Sequence, residues 1–407
     1  MRIPVVMLAA LLGACTPTPR PAVAPTAPAA EARAPVTMLV SIDGMHPDYL
    51  TRGVTPTLSR LAAEGVSGSL QPSFPTKTFP NHYTLVTGLH PDRHGIVANR
   101  FEDSERPGEV FTMATTDRFW WDQGEPIWVA AERAGIRTAT MFWPGSNTDV
   151  AGQRPSDWQQ FAQALPEANR VDAIVDWLRR PAATRPKLLT LYFDTVDTAG
   201  HRFGPQSAEV DAALAEADRQ IGRLLAELAA MGQPVNLIVT SDHGMAPVSA
   251  ERVIDLNAAM GGEANIRLVE DGPYAAFHAQ PGRAAAVEAR LAGPHRHMQC
   301  WKKQALPARL AYGRNPRVPP YLCIAESGWT ILGQPPRYSI AGGAHGYDNA
   351  DGAMRAAFVA HGPAFAPGTR VEARSVDVYP LLRQLVGLPA AQGRDGSMVA
   401  FIPTLRK

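Results

Sequence analysis

Residues 36–44 read Val-Thr-Met-Leu-Val-Ser-Ile-Asp-Gly, a short, mostly apolar and β-branched run that stops at an acidic turn. Such a run suits a strand buried on both faces, and it leaves the Asp43 carboxylate at the strand's C-terminal end. The same grammar recurs along the chain. Val235–Thr240 (VNLIVT) runs into Ser241-Asp242-His243-Gly244, and Leu188–Phe193 (LLTLYF) precedes Asp197-Thr198-Ala199-Gly200-His201. Thr138–Phe142 and Ala356–Ala360 are further buried-strand candidates. Between the strands lie helical patterns: Thr57–Glu64, Phe79–Thr87, Val376–Val386 and, most clearly, Ser207–Met231. In that last stretch Val210, Leu214, Ala217, Ile221, Leu224, Leu225 and Leu228 keep one apolar face, and Gly232-Gln233-Pro234 ends it. Strands alternating with helices predict an α/β fold, with a mainly parallel sheet flanked by helices on both faces.

Working outward, the main domain is expected over residues 36–390, with 391–407 as a C-terminal tail. Residues 250–340 are rich in Pro, Gly and aromatics and read as a less regular inserted subdomain or cap. The beginning reads as an address. Met1-Arg2 precedes an apolar run, Pro4–Gly13, that is too short to span a membrane. It ends in Leu12-Gly13-Ala14-Cys15, which resembles the lipobox of bacterial lipoproteins. That resemblance implies removal of a signal peptide over 1–15, lipidation of Cys15, and an exported protein on the periplasmic side of a bacterial envelope. Membrane contact would then run only through the anchor. Residues 16–35, dominated by Pro, Ala and Thr, read as a semi-rigid tether.

The 407 residues carry 39 basic and 38 acidic side chains, a net charge of +1. This balance argues against a broad basic face for nucleic acid, so no stable nucleic-acid partner is expected. Beyond Cys15 the cysteines are Cys300 and Cys323, and an exporting compartment permits one disulfide between them.

Four separated segments place Asp or His beside small, turn-forming residues: Asp43-Gly44, Asp197 to His201, Asp242-His243-Gly244, and Gly342-Gly343-Ala344-His345-Gly346. Carboxylate and neutral imidazole suit zinc without any cysteine. Three of the four follow expected strands, where ligands of open α/β sheets gather. Asp197 and His201, four residues apart, share one side of a helical turn or a tight loop. The six side chains suffice for two ions if substrate or water completes the coordination.

A fifth segment, Pro75-Thr76-Lys77-Thr78-Phe79-Pro80-Asn81-His82, joins them. With Ser41–Gly44, Val86-Thr87-Gly88-Leu89-His90-Pro91, His94-Gly95-Ile96 and Asn99, it resembles the nucleotide pyrophosphatase/phosphodiesterase family of the alkaline phosphatase superfamily. The resemblance covers roughly residues 36–390. It implies an alkaline phosphatase-like fold and two zinc ions. One would be held by Asp197, His201 and His345, the other by Asp43, Asp242, His243 and the Thr78 hydroxyl. Thr78 stands where the family's nucleophile stands, with Thr76 as its internal competitor, and Asn99 matches the asparagine that donates to a phosphate oxygen. In-line attack through a phosphothreonyl intermediate is the implied reaction. His46, His82, His90, His94, His295 and His297 are not assigned to metal, and Lys77 is expected to be solvated.

Phe79 and Tyr192 match positions that sandwich a base, and Trp158 is a further candidate wall. They favour a small-molecule nucleotide substrate cleaved to a nucleoside 5′-monophosphate. Some relatives take lysophospholipid or choline diesters instead. Trp120, Trp121 and Trp143 keep a quaternary ammonium open. A phosphomonoesterase of the same superfamily would need extra cationic groups, and no such set is evident.

Overall fold

The run ending at Asp43 forms β1 (Val36–Ile42), buried along its whole length. The strands β2 (Val66–Gln71), β3 (Thr138–Met141), β4 (Asp157–Gln159), β5 (Leu188–Phe193) and β6 (Val235–Thr240) follow. Next come β7 (Ile266–Glu270), β8 (Tyr274–Ala279), β9 (Met298–Lys302) and β10 (Tyr321–Ala325), then β11 (Ala356–His361) and β12 (Thr369–Arg374). This is a computed structural model describing residues 32–336 and 340–406, with Met1 and Pro4. Cys15, and with it the leader, the anchor and nearly all of the tether, lies outside the described residues.

The principal sheet has eight strands in the order β12-β2-β11-β6-β1-β5-β3-β4. Only β11 runs against its neighbours, so the sheet is mainly parallel, as the alternation of strands and helices requires. The helices that matter here are α1 (Pro56–Glu64), α2 (Thr78–Thr87), α3 (Glu167–Arg179), α4 (Thr195–Phe203), α5 (Ala208–Ala230) and α6 (Val378–Leu385). Strand periodicity sends Val36, Met38, Val40 and Ile42 of β1 into one core with α1, α3 and α5. Leu39 faces the opposite core, which contains residues of α2 and α6. Both faces of the sheet are therefore covered, which is why β1 carries no charged side chain.

The stretch expected to be less regular is more ordered than its composition suggests. Strands β7 to β10 form a four-stranded antiparallel sheet in the order β7-β8-β10-β9. Cys300 on β9 sits directly opposite Cys323 on β10, and the two form a disulfide across a Cα–Cα distance of 4.0 Å. The expected C-terminal tail is also corrected. Residues 391–406 pack onto the body, with Phe401 fully buried against Phe358, because that apolar ring closes the core beside β11. Among the described residues, no helix is long and apolar enough to cross a membrane.

Candidate active site

Parallel pairing aligns the acidic strand ends. Ser41 lies opposite Thr240 on β6 and Tyr192 on β5, so Asp43 is level with Asp242 on one side and the start of α4 on the other. Neighbouring strands lie about 4.8 Å apart, close enough for their terminal side chains to meet. Gly44 makes the turn at φ +72°, and a Cβ there would sit 3.2 Å from Asp197, so glycine is needed for both reasons. Asp197 and His201 project from consecutive turns of α4. His345 arrives by a different route. Gly343–Ala344 pairs antiparallel with Ala246–Pro247, just after His243, and brings the His243 and His345 rings into a stack with centroids 3.5 Å apart.

Three histidines are oriented alike. The Nδ1 atoms of His201, His243 and His345 lie 2.9, 3.0 and 2.8 Å from the carbonyl oxygens of Gly343, Gly244 and Thr76. A carbonyl only accepts, so each Nδ1 carries a proton and each ring turns its Nε2 inward. His201 Nε2 and His345 Nε2 face each other at 3.1 Å. Asp197 approaches them at 3.4 and 3.7 Å. His243 Nε2 meets Asp242 Oδ2 at 2.9 Å and Asp43 Oδ1 at 3.6 Å. Among the described residues, Asp43 Oδ1, Asp197 Oδ1 and Asp242 Oδ2 are buried and accept no hydrogen bond.

Inward imidazole nitrogens beside three buried carboxylates favour positive charge between them. The donor atoms of Asp43, Asp242 and His243 lie within 4.8 Å of one another, as do those of Asp197, His243 and His345, so the residues fit metal binding. The titration of the side chains alone reflects the same crowding. Burial, then the charges of Asp242 and Asp197, raise Asp43 well above the usual carboxylate range. Burial also raises Asp197. Burial would raise Asp242 too, but the His243 and His82 imidazoles outweigh it and bring that group well below. His345 is held well below an ordinary imidazole by burial and by His243.

Thr78 opens α2, and its Oγ1 lies 3.4 Å from His243 Nε2. The first turn of a helix has N–H groups without helical partners. Here the Phe79 N–H donates to Asn99 Oδ1 at 3.0 Å, which orients the Asn99 amide and leaves its N–H groups available to a ligand. Thr76 is tied up elsewhere: its buried hydroxyl donates to Tyr347 O and accepts from Gly346 N. Asn81 braces the loop before α2, accepting from Ser73 N and donating to the carbonyls of Ser73, Pro75 and Lys77. His82 bridges the Ser41 hydroxyl and the Thr78 carbonyl, 3.4 Å from Asp242. Lys77 is not solvated as expected. Its ammonium is largely buried, 3.8 Å from Glu270 of β7, because the small sheet packs over it.

A cavity of about 360 Å³ opens beside this cluster, lined by Asp43, Thr78, Asn99, Asp197, His201 and His345. Phe79, Trp121, Phe142, Trp143, Phe161 and Tyr192 supply aromatic walls. Tyr192 also donates its hydroxyl to Asp43 Oδ2 at 2.7 Å, a contact that spacing in the sequence does not reveal. Burial and the neighbouring Asp43 keep that phenol protonated, well above its usual pKa. Trp158 does not line the cavity. It sits on β4 with Arg154 over its ring, and the chain must continue to Phe161 before an aromatic faces the opening. Trp120 is likewise buried in the core rather than at the cavity wall.

Residues 37–348 match the family model described as type I phosphodiesterase / nucleotide pyrophosphatase. The bis(5′-adenosyl)-triphosphatase of Xenopus laevis is 38% identical over 369 residues, covering 89% of this chain and 80% of that protein. Ectonucleotide pyrophosphatase/phosphodiesterase family member 1 of Mus musculus is 34% identical over 91% of this chain, which spans 43% of that longer protein. Among solved structures, murine ectonucleotide pyrophosphatase/phosphodiesterase 5, as an inactive Thr-to-Ala variant in complex with AMP, matches with a TM-score of 0.86. The identity is 35%, over 92% of this chain and all of the other. The human protein of the same name matches with a TM-score of 0.86 and 34% identity over 91% of this chain.

Proposed function

Because the chain belongs to the type I phosphodiesterase / nucleotide pyrophosphatase family, whose members hydrolyse phosphodiester or phosphoanhydride bonds, we propose that it cleaves nucleotides and releases a nucleoside 5′-monophosphate. One observation carries this reading. The Thr78 hydroxyl and the metal-ligand candidates border the same cavity as the Phe79 and Tyr192 rings, so one ligand reaches the nucleophile and a stacking surface together. The AMP complex of the murine relative supports the choice of a nucleotide. The lining contains no Lys or Arg among the described residues, which favours a diester over a more highly charged monoester.

Asp43, Asp242, His243 and Thr78 would hold one zinc ion and Asp197, His201 and His345 the other. When bound, the pair supplies charge that favours the hydroxyl nucleophile's alkoxide and polarises the phosphate oxygens. Thr78 Oγ attacks phosphorus in line, forming an Oγ–P bond as the bond to the leaving oxygen breaks. Water then cleaves that ester, releasing the monophosphate and returning a proton to Thr78. Two inversions retain configuration at phosphorus. Asn99 directs its amide N–H toward the phosphoryl oxygens, where charge builds in each transition state.

Turnover of the p-nitrophenyl ester of thymidine 5′-monophosphate should exceed that of bis-p-nitrophenyl phosphate, p-nitrophenyl phosphorylcholine and p-nitrophenyl phosphate. A preference for the choline ester would move the substrate to lipids, which the tryptophan-rich wall would accommodate. A preference for the monoester would overturn the diesterase reading. Export with a lipid anchor at Cys15 is part of the proposal and rests on the sequence motif alone; the relatives named above are from animals.

A further inference from the structure

Tyr192 serves two places with one side chain. Its ring lines the cavity, and its hydroxyl donates to Asp43 Oδ2 at 2.7 Å. Asp43 is buried, and among the described residues its other oxygen, Oδ1, has no hydrogen-bond partner. Its second oxygen, Oδ1, faces His243 Nε2 at 3.6 Å. Pairing of β1 with β5 places Tyr192 opposite Ser41, two residues before Asp43, within reach of that turn. The phenol ring is itself fixed edge-on to His82, with centroids 5.1 Å apart at 87°.

We infer that the Tyr192 hydroxyl is a positioning group for the metal centre: it occupies Asp43 Oδ2, so that Asp43 offers a single oxygen, Oδ1, to the cation shared with Asp242 and His243. This rests on reading those three residues as zinc ligands and adds a role that stacking on a base does not require. A phenylalanine would stack equally well. Only a tyrosine ties the cavity wall to the metal ligand. Groups that orient metal ligands from outside set affinity through the geometry they impose.

The test compares the intact protein with Tyr192→Phe and Tyr192→Leu. Zinc affinity is measured by competition with a chromophoric chelator, and AMP affinity by calorimetry at saturating zinc. Tyr192→Phe should weaken zinc binding about 10–100-fold while AMP affinity at saturating zinc stays within about threefold of the parent. Lost turnover should return as zinc is raised. Tyr192→Leu, lacking ring and hydroxyl, should lose affinity for both. The unfolding midpoint in chelator reports whether each variant folds. Parent-like zinc affinity in Tyr192→Phe overturns the inference, as does weakened AMP binding with zinc affinity intact. If the parent itself binds no zinc, the proposed function fails rather than this link alone.

Discussion

At the residue scale, the chemistry turns on which of two nearby threonines faces the ligand cluster. Thr76 and Thr78 are equal as residue types, but Thr76 spends its hydroxyl on the Tyr347 and Gly346 backbone while Thr78 lies beside His243. Thr78→Ala should therefore lower diester turnover by about 10³-fold or more, with zinc content and AMP affinity retained. Thr76→Ala should chiefly affect stability. Steady-state rates with metal analysis on the same samples check both outcomes, and near-parental turnover by Thr78→Ala would exclude it as nucleophile. The metal-ligand candidates were legible because only a few side-chain types bind a hard or borderline cation, and they stand beside recognisable turns. Asn81 and the Tyr192 hydroxyl were not. Their partners are backbone groups or residues of other segments, and spacing along the chain carries no record of such contacts. Trp158 failed for the related reason that an aromatic letter does not state which way its ring points.

At the element scale, Thr78 begins α2 and Gly88 follows its last residue. Gly88 closes the helix in the left-handed region at φ 66°, and a Cβ there would lie 2.9 Å from Tyr379 of α6. Gly88→Ala should destabilise the fold by about 1–3 kcal/mol, the combined cost of a strained cap and an overpacked contact. Thermal or denaturant unfolding measures the loss, while activity per folded molecule should survive because Gly88 lies at the far end of α2. Helix α1 shows why element boundaries are less legible than element existence. Its N-terminus has no cap from its own sequence, and Asp218 of α5 accepts from Thr57 N and Leu58 N instead. Strand β2 (VSGSLQ) escaped the reading altogether. It is largely polar, and Gly68 serves the close approach of the Val371 carbonyl on β12, where a Cβ would stand only 1.9 Å away.

At the scale of the whole molecule, the small sheet of β7 to β10 gains its cross-link from Cys300 and Cys323, 23 residues apart. Replacing both with serine should lower stability by about 3 kcal/mol through restored freedom of the unfolded loop. Since Glu270 of the same sheet packs against Lys77, next to Thr78, the loss should appear in unfolding curves and then in activity at elevated temperature. By itself the sequence determined the α/β class, the parallel core and the residue types of the metal cluster, because periodicity and ligand chemistry are local properties of a chain. Only the tertiary structure decided that β6, β1 and β5 are neighbours, that a short strand pair carries His345 onto His243, and that Phe161 rather than Trp158 reaches the cavity. Those facts depend on pairing and direction between segments distant in sequence, and no local pattern encodes them.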